Sequence, residues 1–158
     1  MADDIFANLF LFEGLTAAQR NVLRPLFDPC DCYAGTILFE QGDPADYLFA
    51  VVTGEVVVTF KPDDAPTLIV ARVQPGSIVG WSAVLGSRCY TSSAECTQYT
   101  QLLRVRGTDL RRLCIQHPET GVLVLDRLAA VIAERLRSTH DMVFSLLQLG
   151  MNGPRNRA

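Results

Sequence analysis

The chain changes its hydrophobic period twice. In the first stretch apolar residues recur at helical spacing. Ile5, Leu9 and Phe12 share one face of a helix expected over residues 3–12, and Gly14 ends it. Thr16-Ala-Ala-Gln19 has the capping-box pattern and starts a second helix running to about Phe27, which Pro25 shortens. From Pro29 the alternation becomes strand-like. Two short strands lie between Cys30 and Phe39, broken at Gly35 and closed by the Gly42-Asp43-Pro44 turn. Tyr47–Thr53 and Val56–Phe60 are β-branched runs split by Gly54-Glu55, which predicts a hairpin. Thr67–Val73, Ile78-Val79 and Tyr99–Val105 add further strands. Short strands punctuated by glycine indicate a sandwich or barrel.

After Gly107 the helical period returns. Thr108 is placed to cap a helix over Leu110–Gln116, and His117-Pro118 breaks it. A long helix is expected from about Glu119 to Leu149. Its apolar positions Leu125, Leu128, Ile132, Met142, Leu146 and Leu149 fit a 3–4 alternation, with Arg135 and Thr139 in the slots between Ile132 and Met142. Such a helix is roughly 45 Å long, more than a small barrel covers. The uncovered stripe points to a two-helix contact and hence a homodimer. The alternative is a helix folded back on its own barrel.

Residues 76–96 read as strand, short helical turn, loop and strand. Gly80 lets the backbone turn, and Ser82 is placed to cap a turn over residues 83–85. Thr91, Ser92 and Ser93 then open the next strand with hydroxyls. A helix N-terminus facing hydroxyls is a candidate anion cradle; the alternative is an ordinary surface turn.

Composition narrows the picture. The 158 residues suit one domain, about 1–149, followed by a flexible tail over 150–158. No apolar run approaches the length of a membrane span. The acidic N-terminus argues for a cytoplasmic protein. Five cysteines at irregular spacing are read as reduced thiols. Cys30 and Cys32 share a strand face, yet no CxxC or HxxxH spacing accompanies them, so packing is favoured over metal and no metal site is expected. His117, before a proline at a helix junction, is read as structural. A net charge of −3 speaks against sequence-independent nucleic-acid binding. No Gly-x-Ser-x-Gly, P-loop or dinucleotide motif is present, so no catalytic residue is assigned and an enzyme is not expected.

The glycines carry a resemblance. Gly35-Thr-Ile-Leu-Phe-Glu-Gln-Gly42-Asp-Pro-Ala-Asp-Tyr47-Leu-Phe-Ala-Val-Val-Thr-Gly54-Glu-Val-Val-Val, Pro75-Gly76-Ser-Ile-Val-Gly80 and the helix containing Ala133-Glu-Arg135-Leu136 resemble the cyclic-nucleotide-binding domain family, in particular Crp/Fnr-type sensor domains. The resemblance covers roughly residues 9–145. It implies an α+β fold: a double-stranded β-roll (a jelly-roll-like β-helix) over about 29–106, short N-terminal helices, and C-terminal helices over about 108–149 that often dimerise. The relatives continue into a helix-turn-helix; this sequence ends at Ala158, so direct DNA binding is not expected.

The resemblance makes residues 76–93 a phosphate-binding cassette, from which this sequence departs. Where cyclic-nucleotide binders place a Glu for the ribose 2′-hydroxyl stands Trp81. Where they place an Arg for the phosphate stands Tyr90, before Thr91. Removing one partner of a buried charge pair costs ~2–5 kcal/mol, roughly 30- to several-thousand-fold in affinity. These departures speak against a cyclic nucleotide as the ligand, and no cofactor is expected. Trp81 either fills the ribose space or stacks on a planar ligand. Arg88 is either a replacement for the missing Arg or a solvated loop charge. Thr139 matches the position that touches the base in Crp-type sensors, and His140 is its neighbour. The candidate ligand site is thus Gly80, Trp81, Ser82, Ala83, Arg88, Tyr90, Thr91, Ser92 and Thr139. The expected function is a non-enzymatic sensory module that binds a small ligand, with a nucleotide or another anion as candidates, and dimerises through its last helix. The alternative is a ligand-free protein-interaction domain plugged by Trp81.

Overall fold

The fold is described from a computed structural model covering residues 2–151, with side chains from Ile5 to Gly150. Two four-stranded antiparallel sheets form the roll. One has the order β1-β8-β3-β6, with β1 Asp28–Cys32, β3 Tyr47–Thr53, β6 Ile78–Val79 and β8 Thr100–Arg106. The other runs β2-β7-β4-β5, with β2 Ile37–Phe39, β4 Val56–Phe60, β5 Leu68–Val73 and β7 Ser93–Cys96. Helices α1 (Ala2–Ala7), α2 (Ala17–Leu23), α4 (Gly107–Gln116) and α5 (Pro118–Met151) flank the roll, and one turn of helix, α3 (Ser82–Leu85), follows β6.

The order of layers follows from β3. Leu48 and Ala50 face a core shared with the helices, including Phe6, Leu9, Leu110, Leu113 and Leu128. Phe49 and Val51 face a second core between the sheets, with Phe39, Val58, Val79, Tyr90 and Leu102. A strand buried on both faces must be apolar at successive positions, which is why Leu48-Phe-Ala-Val51 does not alternate.

The expected hairpin at Gly54-Glu55 is not formed. β3 pairs with β6 and β8, whereas β4 pairs with β5 and β7. Gly54, at φ 95°, instead carries the chain from one sheet to the other. A Cβ there would overlap Thr100 Oγ1 and stand 2.7 Å from the Tyr99 carbonyl oxygen, so the crossing needs glycine.

At the N-terminus the capping box is present: Thr16 N–H donates to Gln19 Oε1 at 2.9 Å and Gln19 N–H to Thr16 Oγ1 at 3.2 Å. The expected helix over 3–12 is instead α1 followed by a 3-10 turn at Phe10–Phe12. That break turns Ile5 outward, and Phe6 takes its place beside Phe12 and Phe27. Pro25 lies in a second 3-10 turn, Arg24–Leu26, so α2 ends before Phe27. Further on, Thr108 does not cap α4: the cap position is Arg106, without a side-chain hydrogen bond.

The long helix requires the largest correction. α5 has 34 residues and runs through Gly150 to Met151, beyond the expected end at Leu149; residues 152–158 of the expected tail lie outside the described residues. Leu128 is 2% exposed and belongs to the helix-side core, so it is not free to meet a partner. Leu128, Arg135, Met142 and Leu149 form one row at seven-residue spacing, and this row enters the protein's own domain before passing its edge. A neighbouring 3–4 row, Val122, Leu125, Ala129, Ile132, Leu136, Thr139, Val143 and Leu146, is the more exposed one: Val122, Leu125, Leu136, Val143 and Leu146 all face out.

Candidate ligand-binding site

The site is built where β6 ends. Gly80 adopts φ 84°, and a Cβ there would stand 2.8 Å from the Tyr47 carbonyl oxygen and 3.2 Å from the Phe39 ring. Glycine at this point lets the chain turn tightly against β3 and lead directly into Trp81 and α3. Ser82 is the first residue of α3 rather than its cap; the cap position is Trp81, and no side chain caps the turn. The turn also satisfies its own amides. Ala83 N–H donates to Gly80 O at 3.2 Å and Val84 N–H to Trp81 O at 2.9 Å. At the helix N-terminus expected to cradle an anion, the amides of Ala83 and Val84 are therefore already taken.

The following loop is laced to residues 42–45. Tyr90 N–H donates to Asp43 O at 2.9 Å, Gly42 N–H to Tyr90 O at 2.9 Å and Ala45 N–H to Arg88 O at 3.0 Å. This pairing turns Tyr90 inward. Its ring lies on Phe39 with centroids 3.7 Å apart, and its hydroxyl donates to Tyr47 O at 2.6 Å while accepting Tyr47 N–H at 2.9 Å. Burial raises the phenol's pKa, partly opposed by the hydrogen bond its oxygen accepts from Tyr47 N–H, so it stays protonated at neutral pH. Tyr90→Phe removes both hydrogen bonds and leaves the Tyr47 N–H unsatisfied. It is expected to lower unfolding free energy by about 1–3 kcal/mol in urea titration.

A cavity of about 440 Å³ opens between this segment and α5. Gly80, Trp81, Ser82, Tyr90, Thr91, Ser92 and Thr139 line it, as the sequence led us to expect. Ala83 and Arg88 do not: Ala83 is buried against the backbone of Gly107, and Arg88 is exposed on the loop. The remaining wall is Phe39, Val58, Phe60, Val70, Ile132, Arg135 and Leu136. Ile132, expected only at a dimer contact, is thus also a pocket residue.

Arg135 is a cavity-wall residue that the sequence reading did not place in the site. Its guanidinium carbon lies 4.7 Å from the Trp81 ring centre. Its Nη2 donates to the Ile78 carbonyl oxygen and, at 3.5 Å, to Ser77 Oγ. No carboxylate among the described residues forms an ion pair with it. Burial lowers its pKa to about 10, still far above neutrality, so an uncompensated cation stands at the cavity wall. The available signal was a lone charge in the row Leu128, Arg135, Met142, Leu149.

The cysteine pair lies elsewhere. Cys30 and Cys32 Sγ are 3.9 Å apart, and burial, then the neighbouring Cys30, pushes the Cys32 thiol up to about 12. Among the described residues no group of three or more His, Cys, Asp or Glu is arranged to hold a metal. His117 and His140 are both exposed, and neither lines the cavity.

Residues 31–117 match the model of the cyclic nucleotide-binding domain, more than half of the chain. The chain belongs to the cyclic nucleotide-binding domain family. Within it, the Crp/Fnr-type sensors share its layout of paired sheets, short N-terminal helices and a long C-terminal helix. The chain is 24% identical over 145 residues to a CRP-like cAMP-activated global transcriptional regulator of Mycobacterium tuberculosis, covering 92% of this chain and 63% of that one. A crystal structure of the Thermus thermophilus catabolite activator protein superposes with TM-score 0.72 at 28% identity, covering 89% of this chain and 63% of that one. A cyclic nucleotide-binding domain from Methylobacillus flagellatus superposes with TM-score 0.83 at 23% identity, covering 91% and 85%. The fold also matches the regulatory subunit of a cAMP-independent protein kinase A from Trypanosoma brucei, with TM-score 0.74 at 15% identity over 92% of this chain and 50% of that one. Similar proteins thus include a regulator described as cAMP-activated and, by fold alone, the regulatory subunit of a kinase described as cAMP-independent, and the fold does not by itself name the ligand.

Proposed function

We propose that this chain is a non-enzymatic regulatory module that senses a small ligand in the cavity between the cassette and α5 and dimerises through α5. The observation that carries the reading is the shared wall: Gly80–Ser82 and Tyr90–Ser92 on one side, and Ile132, Arg135, Leu136 and Thr139 of α5 on the other. A ligand that fills this space touches the helix directly. Leu136 and Thr139 also lie on the exposed 3–4 row, so occupancy bears on the same turns that would meet a partner helix.

The occupant of that row is a second copy of the chain. Val122, Leu125, Leu136, Val143 and Leu146 continue one heptad register over more than three heptads, which suits a self-complementary two-fold contact. Sedimentation equilibrium tests it. Wild type is expected to run as a dimer, and Leu146→Glu, which buries an unpaired carboxylate, to associate at least about 100-fold more weakly. Identical behaviour of the two proteins contradicts this row.

The cassette chemistry is unlike that of a typical cyclic-nucleotide site. Tyr90 occupies the place of the phosphate-pairing Arg with a neutral ring whose hydroxyl is spent on Tyr47. Trp81 occupies the place of the ribose-binding Glu, and it presents its ring to Arg135 instead. The 440 Å³ that remain beside Trp81 favour a ligand-sensing module over a domain plugged by that side chain. Calorimetric titration with cyclic nucleotides and apolar anions is expected to give saturable heat with at least one class. Silence from all of them at millimolar concentration overturns the sensing reading.

A further inference from the structure

Resting on the sensing reading above, we propose that the cavity takes a largely apolar molecule carrying one carboxylate, with the carboxylate on Arg135 and the apolar body against Val58, Phe60, Val70 and Leu136. The wall of the cavity is largely apolar. Of its fourteen residues, eight are apolar or aromatic (Phe39, Val58, Phe60, Val70, Trp81, Tyr90, Ile132, Leu136), and Arg135 is the one that carries a charge at neutral pH. A volume of about 440 Å³ is within the roughly 300–1,000 Å³ typical of small-molecule sites.

The charge of the ligand follows from Arg135. A guanidinium has five N–H donors. The bonds to Ile78 O and Ser77 Oγ both come from Nη2, which leaves Nε and Nη1 for another acceptor. The cation is partly withdrawn from water and has no carboxylate partner among the described residues. A bound anion supplies that partner, and a planar carboxylate matches the guanidinium edge. A doubly charged phosphate is a poor match, because one cation faces it and the amides of Ala83 and Val84 are engaged within the turn.

The body of the ligand follows from the rest of the wall. Sugar hydroxyls or a purine amine set against Val58, Phe60, Val70 and Leu136 would lose water without gaining partners. The hydroxyls of Ser82, Thr91, Ser92 and Thr139 offer a few polar contacts, enough to orient a ligand and too few to satisfy a ribose and base together.

The test is calorimetric titration of the full chain with 2-naphthoate, its neutral amide 2-naphthamide, and cAMP. Naphthoate is expected to bind at least ten-fold more tightly than either of the others. Arg135→Gln is expected to weaken naphthoate about ten- to hundred-fold and to erase the preference for acid over amide. Trp81 is the chain's single tryptophan, so its indole N–H resonance must move with the same midpoint if the heat arises in this cavity. Equal binding of acid and amide overturns the proposal on wild type alone, whatever becomes of the variant's folding. An acid preference that survives Arg135→Gln also overturns it, as does a stationary indole signal. Tighter binding of cAMP than of naphthoate overturns the proposed ligand class while leaving the sensing reading intact. Silence from all three overturns the proposed ligand class, and silence from cGMP as well removes the sensing reading with it.

Discussion

Gly107→Ala is expected to push the cassette turn out of place and to cost about 3 kcal/mol or more of stability. A methyl group on residue 107 would overlap the carbonyl carbon and oxygen of Ala83 and stand 3.0 Å from its Cβ. The obstacle is backbone, so no rotamer change relieves it. Gly107 is also held on its other side, where its N–H donates to Asp46 O at 2.9 Å. Either α4 withdraws from that bond or α3 moves, and α3 carries Ser82 and follows Trp81 at the cavity wall. The same substitution is therefore expected to shift the urea midpoint and to abolish ligand-induced movement of the Trp81 signal. A change in unfolding free energy below ~0.5 kcal/mol would mean that α3 and α4 are not packed as described.

Leu128→Ala is expected to destabilise the fold by about 2–5 kcal/mol without altering its oligomeric state. Leu128 is 2% exposed among the helix-side core residues, and truncation leaves a cavity between α5 and that core. The contrast with Leu146→Glu separates the two rows of α5. One row holds the helix onto its own domain; the other is the row proposed to meet a second chain. Urea titration and sedimentation on the same preparations distinguish them. Dissociation of the dimer by Leu128→Ala, with folding intact, would return Leu128 to the interface and contradict the assignment.

The residues that were legible in advance are those whose signal is local. Thr16 and Gln19 sit three apart and cap each other, as their spacing required. The glycines at 35, 42, 54, 76 and 80 all adopt positive φ, and they carried the resemblance that the family match bears out. The hairpin at Gly54 failed because alternation shows which side of a strand is buried and says nothing of its neighbour. There the chain changes sheets, and the pairing of β3 with β8 spans a separation no local pattern encodes. Leu128 was misplaced for a related reason. Adjacent rows of a helix have nearly the same period, and only contact with the roll shows that Leu128 faces inward and Leu125 outward.

The cavity was half legible. Gly80 to Ser82 and Tyr90 to Ser92 follow from the cassette segment, but the opposite wall comes from strands and a helix far away in sequence. Arg135 appeared as a polar interruption in an apolar stripe. Its meaning depends on Trp81, 54 positions earlier, whose ring receives its guanidinium. Two departures that looked like separate losses, Trp81 and Tyr90, prove to be different in kind. Tyr90, expected at the phosphate-pairing position, spends its hydroxyl on Tyr47, whereas Trp81, expected at the ribose position, presents its ring to a cation with no acid beside it.

The central claim is that a ligand between the cassette and α5 is felt by α5. Heteronuclear NMR of nitrogen-15-labelled protein tests it most directly, because the Trp81 indole and the α5 amides of residues 132–139 report on both walls at once. Titration with cAMP, cGMP and 2-naphthoate is expected to move the indole and those amides together, saturably and with one midpoint, for at least one of the three. If both sets of signals stay fixed with every ligand at millimolar concentration, the cavity is not a sensing site and the account is wrong.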